Sequence, residues 1–356
     1  MNNSSDLYLS SDSDISSDNE SLENEFIGEI LNNRYIILKY ISKGSFSKIY
    51  LVYDIFLNKC FATKMFIKEY YESAQLELLN LKKFNSNYII KVYDYFSENN
   101  KIFIILELLG LSLYDIIYSY NYDLTTSEIF NIFKSISLGV NELHKLKLIH
   151  CDLKPENILS NYISSNISNI IDYLDKLDLI NVKKEFENML QKNNVTNDLN
   201  KITILSLRDY IIDKLDTYHN EYSELNEANT INFNEIEFKI IDFGNIECES
   251  KIENNDVYYK YYRPPEVYLN NNYTTKSDIW VLGCIFYEFL TKEMLFNKKE
   301  SYENQLTLIK NDKNYIKNNL CIFNCNHLFI QLICNMIIYD EKDRLDLSQI
   351  LTFFFK

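Results

Sequence analysis

Three prolines and six glycines in 356 residues leave this chain few places for a sharp or unusual backbone turn. Ordinary usage is about 7% Gly and 5% Pro, so the positions that keep them are informative. All three prolines fall in two short segments, one holding Pro155 (His150-Cys-Asp-Leu-Lys-Pro-Glu-Asn157) and one holding Pro264 and Pro265. The rest of the composition is rich in Asn, Ile, Lys and Tyr.

Hydrophobic residues make up 46% of the chain, enough to fill a sizeable core. The formal charge of −15 argues against a general nucleic-acid binder and suits a basic partner. Apolar runs such as Lys101–Leu111 and Ile279–Leu290 are shorter than the roughly 20 residues of a membrane span, and each carries a glutamate. The first residues show neither the basic nor the apolar region of a signal peptide. Seven cysteines without close pairing suggest reduced thiols. A cytoplasmic location is expected, with the nucleus as a second.

Residues 1–29 carry eight acidic side chains and no basic one, and are rich in serine. Such a stretch cannot bury enough apolar surface to offset its ordering entropy, so a disordered tail is expected. Several of its serines precede acidic residues, which leaves a phosphorylated regulatory arm as the sharper reading. From Arg34 on, segments rich in Ile, Tyr, Phe and Val predict five strands, with one helix carrying Ala74, Leu78 and Leu81 after the third. Beyond Gly110 the spacing becomes helical, and Thr125 with Glu128 forms a capping box. Residues 160–235 read as an insertion with helices near 170–191 and 204–218.

Four segments carry chemistry. Between the first two strands, Ile41, Ser42, Lys43, Gly44, Ser45, Phe46, Ser47, Lys48 and Ile49 form a turn whose backbone N–H groups can approach phosphate oxygens. Ala62 and Lys64 lie in the third strand and Glu77 on the following helix, where a glutamate can steady a phosphate-ligating lysine. Asp152, Lys154 and Asn157 share one short loop: a base for a hydroxyl proton, a cation for a transferred phosphoryl group, and a metal ligand. Asp242, before Phe243 and Gly244 at the end of an apolar strand, supplies a second metal ligand. Each of the first two is weak alone; the four in this order are not.

On these segments the chain resembles a eukaryotic protein kinase from Arg34 onward, apart from the insertion. Arg263-Pro-Pro-Glu266, Asp278 and Arg344 extend the match, and Lys154 two residues after Asp152 resembles serine/threonine kinases. Tyr262-Arg263 is similar to the CMGC group. Phe46-Ser47, Gly244-Asn245, Glu107 to Gly110 and the insertion itself resemble SR-protein kinases, while His150-Cys-Asp also suits dual-specificity-regulated kinases.

The resemblance implies an α+β, two-lobed fold, with a five-stranded lobe over 34–109 and a helical lobe over 110–356. It implies ATP and Mg²⁺, the metal on Asn157 and Asp242, Leu106 behind the adenine, and backbone groups of Glu107 and Leu109 on the base. Asp278 would brace the catalytic loop, and Arg344 would pair with Glu266. A monomer acting on a basic or Ser-rich protein is expected, without nucleic acid or membrane.

Departures from the family pattern shape two further expectations. Cys151 replaces the arginine that binds an activation-loop phosphate, and residues 245–262 lack threonine, so activity without loop phosphorylation is expected. Tyr259-Lys260 replaces a Thr-Arg pair, and serines replace two loop glycines; these keep a scaffold without catalysis as the rival reading. Cys321, Cys325, His327 and Cys334 have zinc-ligand chemistry but no zinc spacing, and are expected to be buried thiols beside a buried helix.

Overall fold

The structure is a computed structural model that describes residues 25–44, 46–119, 122, 124–193, 199–222, 231–251, 260–270, 272–296 and 301–355. In chain order its main elements begin with β1 (Ile30–Leu31), β2 (Tyr35–Lys43), β3 (Ser47–Asp54), β4 (Lys59–Ile67), α1 (Tyr71–Leu81), β5 (Val92–Glu98) and β6 (Lys101–Leu106). Then come α2 (Leu113–Tyr118), α3 (Thr126–Lys145), β7 (Leu148–Ile149) and β8 (Ile158–Ser160). The insertion holds α4 (Ser165–Lys176), α5 (Leu179–Lys192) and α6 (Leu199–Tyr222). After β9 (Phe238–Ile240) follow α7 (Pro265–Asn270), α8 (Thr275–Thr291) and four further helices ending at Phe354. They divide into two compact units, one of residues 1–67, 96–103 and 170–225, the other of 68–95, 104–169 and 226–356.

The first unit is built on an antiparallel sheet in the order β1-β2-β3-β4-β6-β5, to which residues 96–103 supply the ends of β5 and β6. The five expected strands are present, with the two-residue β1 added at the edge. The chain enters its fold earlier than its acidic start suggests: Phe26 is buried, and the Gly28 N–H donates to the Ile37 carbonyl at 2.8 Å. Tyr35 to Leu38 of β2 and Tyr50 to Tyr53 of β3 are buried on both faces, so these strands read as continuous apolar runs rather than alternating ones. Asp54 closes the β3–β4 turn. Its carboxylate accepts from the N–H groups of Phe56 and Leu57 and pairs with Arg34 at 2.7 Å, so a fully buried charge is satisfied.

Residues 170–225 of the insertion belong to this same unit. Ile204, Leu207, Ile211 and Leu215 recur every three or four residues and are all buried. The side chain of Ile212 comes within 3.7 Å of where a Cβ on Gly28 would sit, and Lys183 Nζ lies 5.1 Å over the Phe56 ring. Burial, and then the charge of Asp175, push the Cys60 thiol up to about 12. The single helix expected near 170–191 is broken in two: Asp178 turns left-handed at φ 46°, a conformation that aspartate tolerates better than most residues.

In the second unit α8 is buried along almost its whole length. Phe133 of α3 stacks on Phe286 at 3.8 Å, with Phe289 and Phe329 edge-on to it. The Thr125–Glu128 capping box starts α3, as its sequence predicts. Buried Ser135 both accepts from Phe238 N–H at 2.9 Å and donates to its carbonyl at 3.1 Å, which seats β9 on α3. Arg344 grips Glu266 through two bonds of 2.7 and 2.6 Å, the pairing that the resemblance implied. The cysteines near the end depart from expectation: Cys321 is exposed and Cys325 and Cys334 are half-buried. Helix His327–Met336 buries one face only, leaving Leu328 outside.

The insertion helices are therefore expected to stabilise the unit they pack in. Ile211→Ala, at a fully buried site, is expected to cost about 2–5 kcal/mol in urea unfolding, whereas an exposed control, Asp216→Ala, stays near zero. Equal midpoints for the two variants would contradict the packing described.

Candidate active site

His150 follows β7 and is fully buried. Its N–H donates to Asp278 Oδ2 at 3.1 Å, and its Nε2 lies 3.0 Å from the Ile241 carbonyl. A carbonyl only accepts, so Nε2 carries the proton and Nδ1 is the acceptor for the Asp152 N–H at 3.3 Å. One imidazole thus ties the loop that carries Asp152 to the residue before Asp242. Cys151 and Asp242, the neighbours of these contacts, both have φ 65°, a left-handed conformation that costs non-glycine residues roughly 1–2 kcal/mol.

The three residues expected on the loop converge. Lys154 Nζ is 2.9 Å from Asp152 Oδ2. Asn157 Nδ2 donates to the Asp152 carbonyl at 2.8 Å and to Oδ2 at 3.1 Å. Both of these side-chain contacts fall on Oδ2, and among the described residues none falls on Oδ1. Burial lowers the Lys154 ammonium, but the Asp152 carboxylate, with help from Glu156 and Asp242, more than offsets it and the net shift is upward. The lysine stays charged. Because the Asn157 nitrogen makes both bonds, its Oδ1 is the atom turned toward any cation. The Asn157 carbonyl accepts the Ile241 N–H at 3.0 Å, so the loop and the Asp242 segment are joined by backbone as well. Two hard oxygen donors, an amide and a carboxylate, fit Mg²⁺, which keeps waters and takes its other ligands from phosphates.

Leu106 is buried at the end of β6, and Glu107 and Leu109 follow it. The Glu107 side chain points inward: Oε1 accepts the Lys91 N–H at 2.7 Å, and Oε2 pairs with Lys239 at 2.7 Å. This pair is largely buried and was not foreseen, although a lysine inside the apolar run that ends in Asp242 was its signal. Gly110 follows, where any Cβ would stand 1.6 Å from the Tyr162 carbonyl; only glycine lets the start of the insertion come this close. Glu77 lies in α1, buried in this unit.

Residues 41–44 and 46–49, Ala62 and Lys64 lie in the first unit. Lys64 stands across from Ile49 in the β3–β4 register, and its Nζ is 5.3 Å from the Phe66 ring centre. Ser42, Lys43 and Lys48 continue the β2–β3 ladder, Ile41 lies within β2, and Phe46 is exposed at the turn. A side chain on Gly44 would meet Ser47 Oγ at 3.2 Å. Ser45 and Tyr259 lie outside the described residues.

The profile of the protein kinase domain family matches residues 35–175 and 161–355. The chain belongs to the protein kinase family. It is 30% identical over 283 residues to the probable serine/threonine-protein kinase clkA of Dictyostelium discoideum, covering 76% of this chain and 26% of that one. With serine/threonine-protein kinase AFC1 of Arabidopsis thaliana it shares 27% over 285 residues, 78% of this chain and 51% of the relative. With dual specificity tyrosine-phosphorylation-regulated kinase 3 of Macaca fascicularis it shares 28% over 272 residues, 74% and 36% of the two chains. The chain thus spans between a quarter and about half the length of these relatives, which are of CMGC type. A crystal structure of a kinase domain, 21% identical, superposes with a TM-score of 0.62 over 93% of this chain and 97% of that one, and shows the fold.

Breaking the Glu107–Lys239 pair leaves a buried carboxylate with one partner fewer. Lys239→Met is expected to lower stability by on the order of 3 kcal/mol in urea unfolding. The wild-type midpoint in that variant would show that the pair carries no net stability.

Proposed function

We propose that this chain is an ATP-dependent protein serine/threonine kinase acting on basic or Ser-rich protein substrates. The observation that carries the reading is the joined set of Asp152, Lys154 and Asn157, linked through backbone to the residue before Asp242. Asp152 Oδ1 accepts the proton of a substrate hydroxyl as its oxygen bonds to the terminal phosphorus and the bond to ADP breaks. Lys154, charged and beside that carboxylate, neutralises the phosphoryl oxygens. Asn157 and Asp242 would hold Mg²⁺, which supplies charge compensation on the phosphates. On the resemblance alone, Lys64 is assigned to ATP phosphates, and Glu107 and Leu109 to the adenine.

The acidic balance of the chain supports a basic substrate, and the SR-protein kinase branch is the finer reading. The rival, a scaffold that binds partners without catalysis, is favoured by Ser42 and Ser47 in place of glycines. The presence of Lys64, Asp152, Asn157 and Asp242 weighs against it.

Purified protein with labelled ATP, Mg²⁺ and either an arginine–serine peptide or a generic basic protein tests both. Label is expected in at least one substrate, with the rate falling at least about a hundredfold in Asp152→Ala while its melting curve stays cooperative. ATP binding without label transfer would instead favour the scaffold. Cys151 cannot grip a loop phosphate, so phosphatase treatment is expected to leave the rate within about twofold. Loss of activity on treatment would overturn that part of the proposal.

A further inference from the structure

Asn80 is an amide on the buried face of α1, three residues after Glu77 and 3% exposed. A buried amide is costly unless both ends are satisfied, and here both are. Nδ2 donates to the Phe243 carbonyl at 2.9 Å, and Oδ1 accepts from Lys83 Nζ at 2.8 Å. The Phe243 ring is fully buried, edge-on to Phe84 at 5.3 Å and to His150 at 5.5 Å.

The two carbonyls on either side of Asp242 are therefore each held by a side-chain donor, Ile241 by His150 and Phe243 by Asn80. Between them stands the residue with the left-handed backbone. A strained φ persists only where its surroundings over-determine it, and these two donors do so. We propose that Asn80 is a positioning residue: it fixes the Asp242 backbone so that the carboxylate stays aimed for a divalent cation without a phosphorylated loop. The assignment rests on the kinase reading above, but its test does not need turnover.

Asn80→Leu keeps the approximate volume and removes the donor. Asn80→Asp keeps the shape and the Lys83 partner while also removing it, and decides the matter should the leucine variant fail to fold. Lys83→Met, which leaves the donor in place, is the control. Hydrogen exchange is followed in nucleotide-free protein over residues 238–245 and over α8, and ATP binding is measured by calorimetry across a magnesium series.

Loss of one hydrogen bond of ordinary strength is expected to speed exchange over 238–245 about tenfold, with α8 unchanged. The magnesium needed for half-maximal ATP binding is expected to rise about fivefold or more in the Asn80 variants and not in Lys83→Met. Unchanged exchange over 238–245 overturns the proposal, as does an equal rise in α8, which marks a structural role only. Faster local exchange with an unchanged magnesium requirement overturns it too, because the clamp would then not reach the metal ligand. Failure of wild-type protein to bind ATP at any magnesium concentration would overturn the kinase reading and the metal role together, and the exchange data would still decide whether Asn80 clamps the segment.

Discussion

A single buried carboxylate organises the second unit. Asp278, in the first turn of α8, is fully buried and receives the His150 N–H and His144 Nε2 at 3.1 and 3.0 Å. Its place at the helix N-terminus favours the negative charge, and the two donors satisfy it. Through His150 this one group reaches both the loop of Asp152 and the carbonyl before Asp242. The helix that supplies it is buried along almost its whole length, with Phe286 stacked on Phe133 and Trp280 lying under Arg344. Core packing and site geometry are thus one structure: the ring stack holds α8, α8 holds Asp278, and Asp278 holds the loop.

The residues most legible in sequence were those whose chemistry is constrained by spacing. The loop from His150 to Asn157 could be read because a base, a cation and a metal ligand within six residues have few alternative uses. The five strands were legible because β2 and β3 are buried on both faces and so form continuous Ile, Tyr and Val runs. The break at Asp178 was not, since helical periodicity runs straight through it and only a left-handed φ marks the stop. Nor was the partner of Lys239 visible: a lysine in an apolar strand announces a buried pair but cannot say that Glu107, over a hundred residues away, completes it. Asn80 was hidden for a related reason, because an amide on an apolar helix face has no period of its own. The exposure of Cys321 reflects its place near the end of a short helix, where apolar neighbours in sequence do not ensure burial.

Two non-glycine residues with positive φ flank the chemistry, and both are bracketed by hydrogen bonds of their neighbours. Cys151 lies between His150 and Asp152, whose backbone N–H groups are fixed by Asp278 and by the His150 ring. Asp242 lies between carbonyls held by His150 and Asn80. With so few glycines in the chain, left-handed turns fall to side chains that would rather avoid them, and polar donors from elsewhere hold them there. This explains why the site is surrounded by buried polar groups that apolar packing alone would not call for.

Tyrosines do comparable work around Arg263. Tyr118 of α2 and Tyr262 both donate to the carboxylate of Glu288 on α8, which is almost completely buried. Burial pushes the Glu288 carboxyl up, and the two phenol bonds work against that shift. Tyr302 adds a bond to the Arg263 carbonyl, and Tyr268 one to Glu303. A phosphate gripped by arginine would do this anchoring through charge and would release it when the phosphate left. Phenol donors on a buried carboxylate have no such release, because their protons stay in place across the ordinary pH range. Tyr262 is thus tied to the core helix α8 by a phenol whose hydrogen bond to a buried carboxylate needs no phosphate.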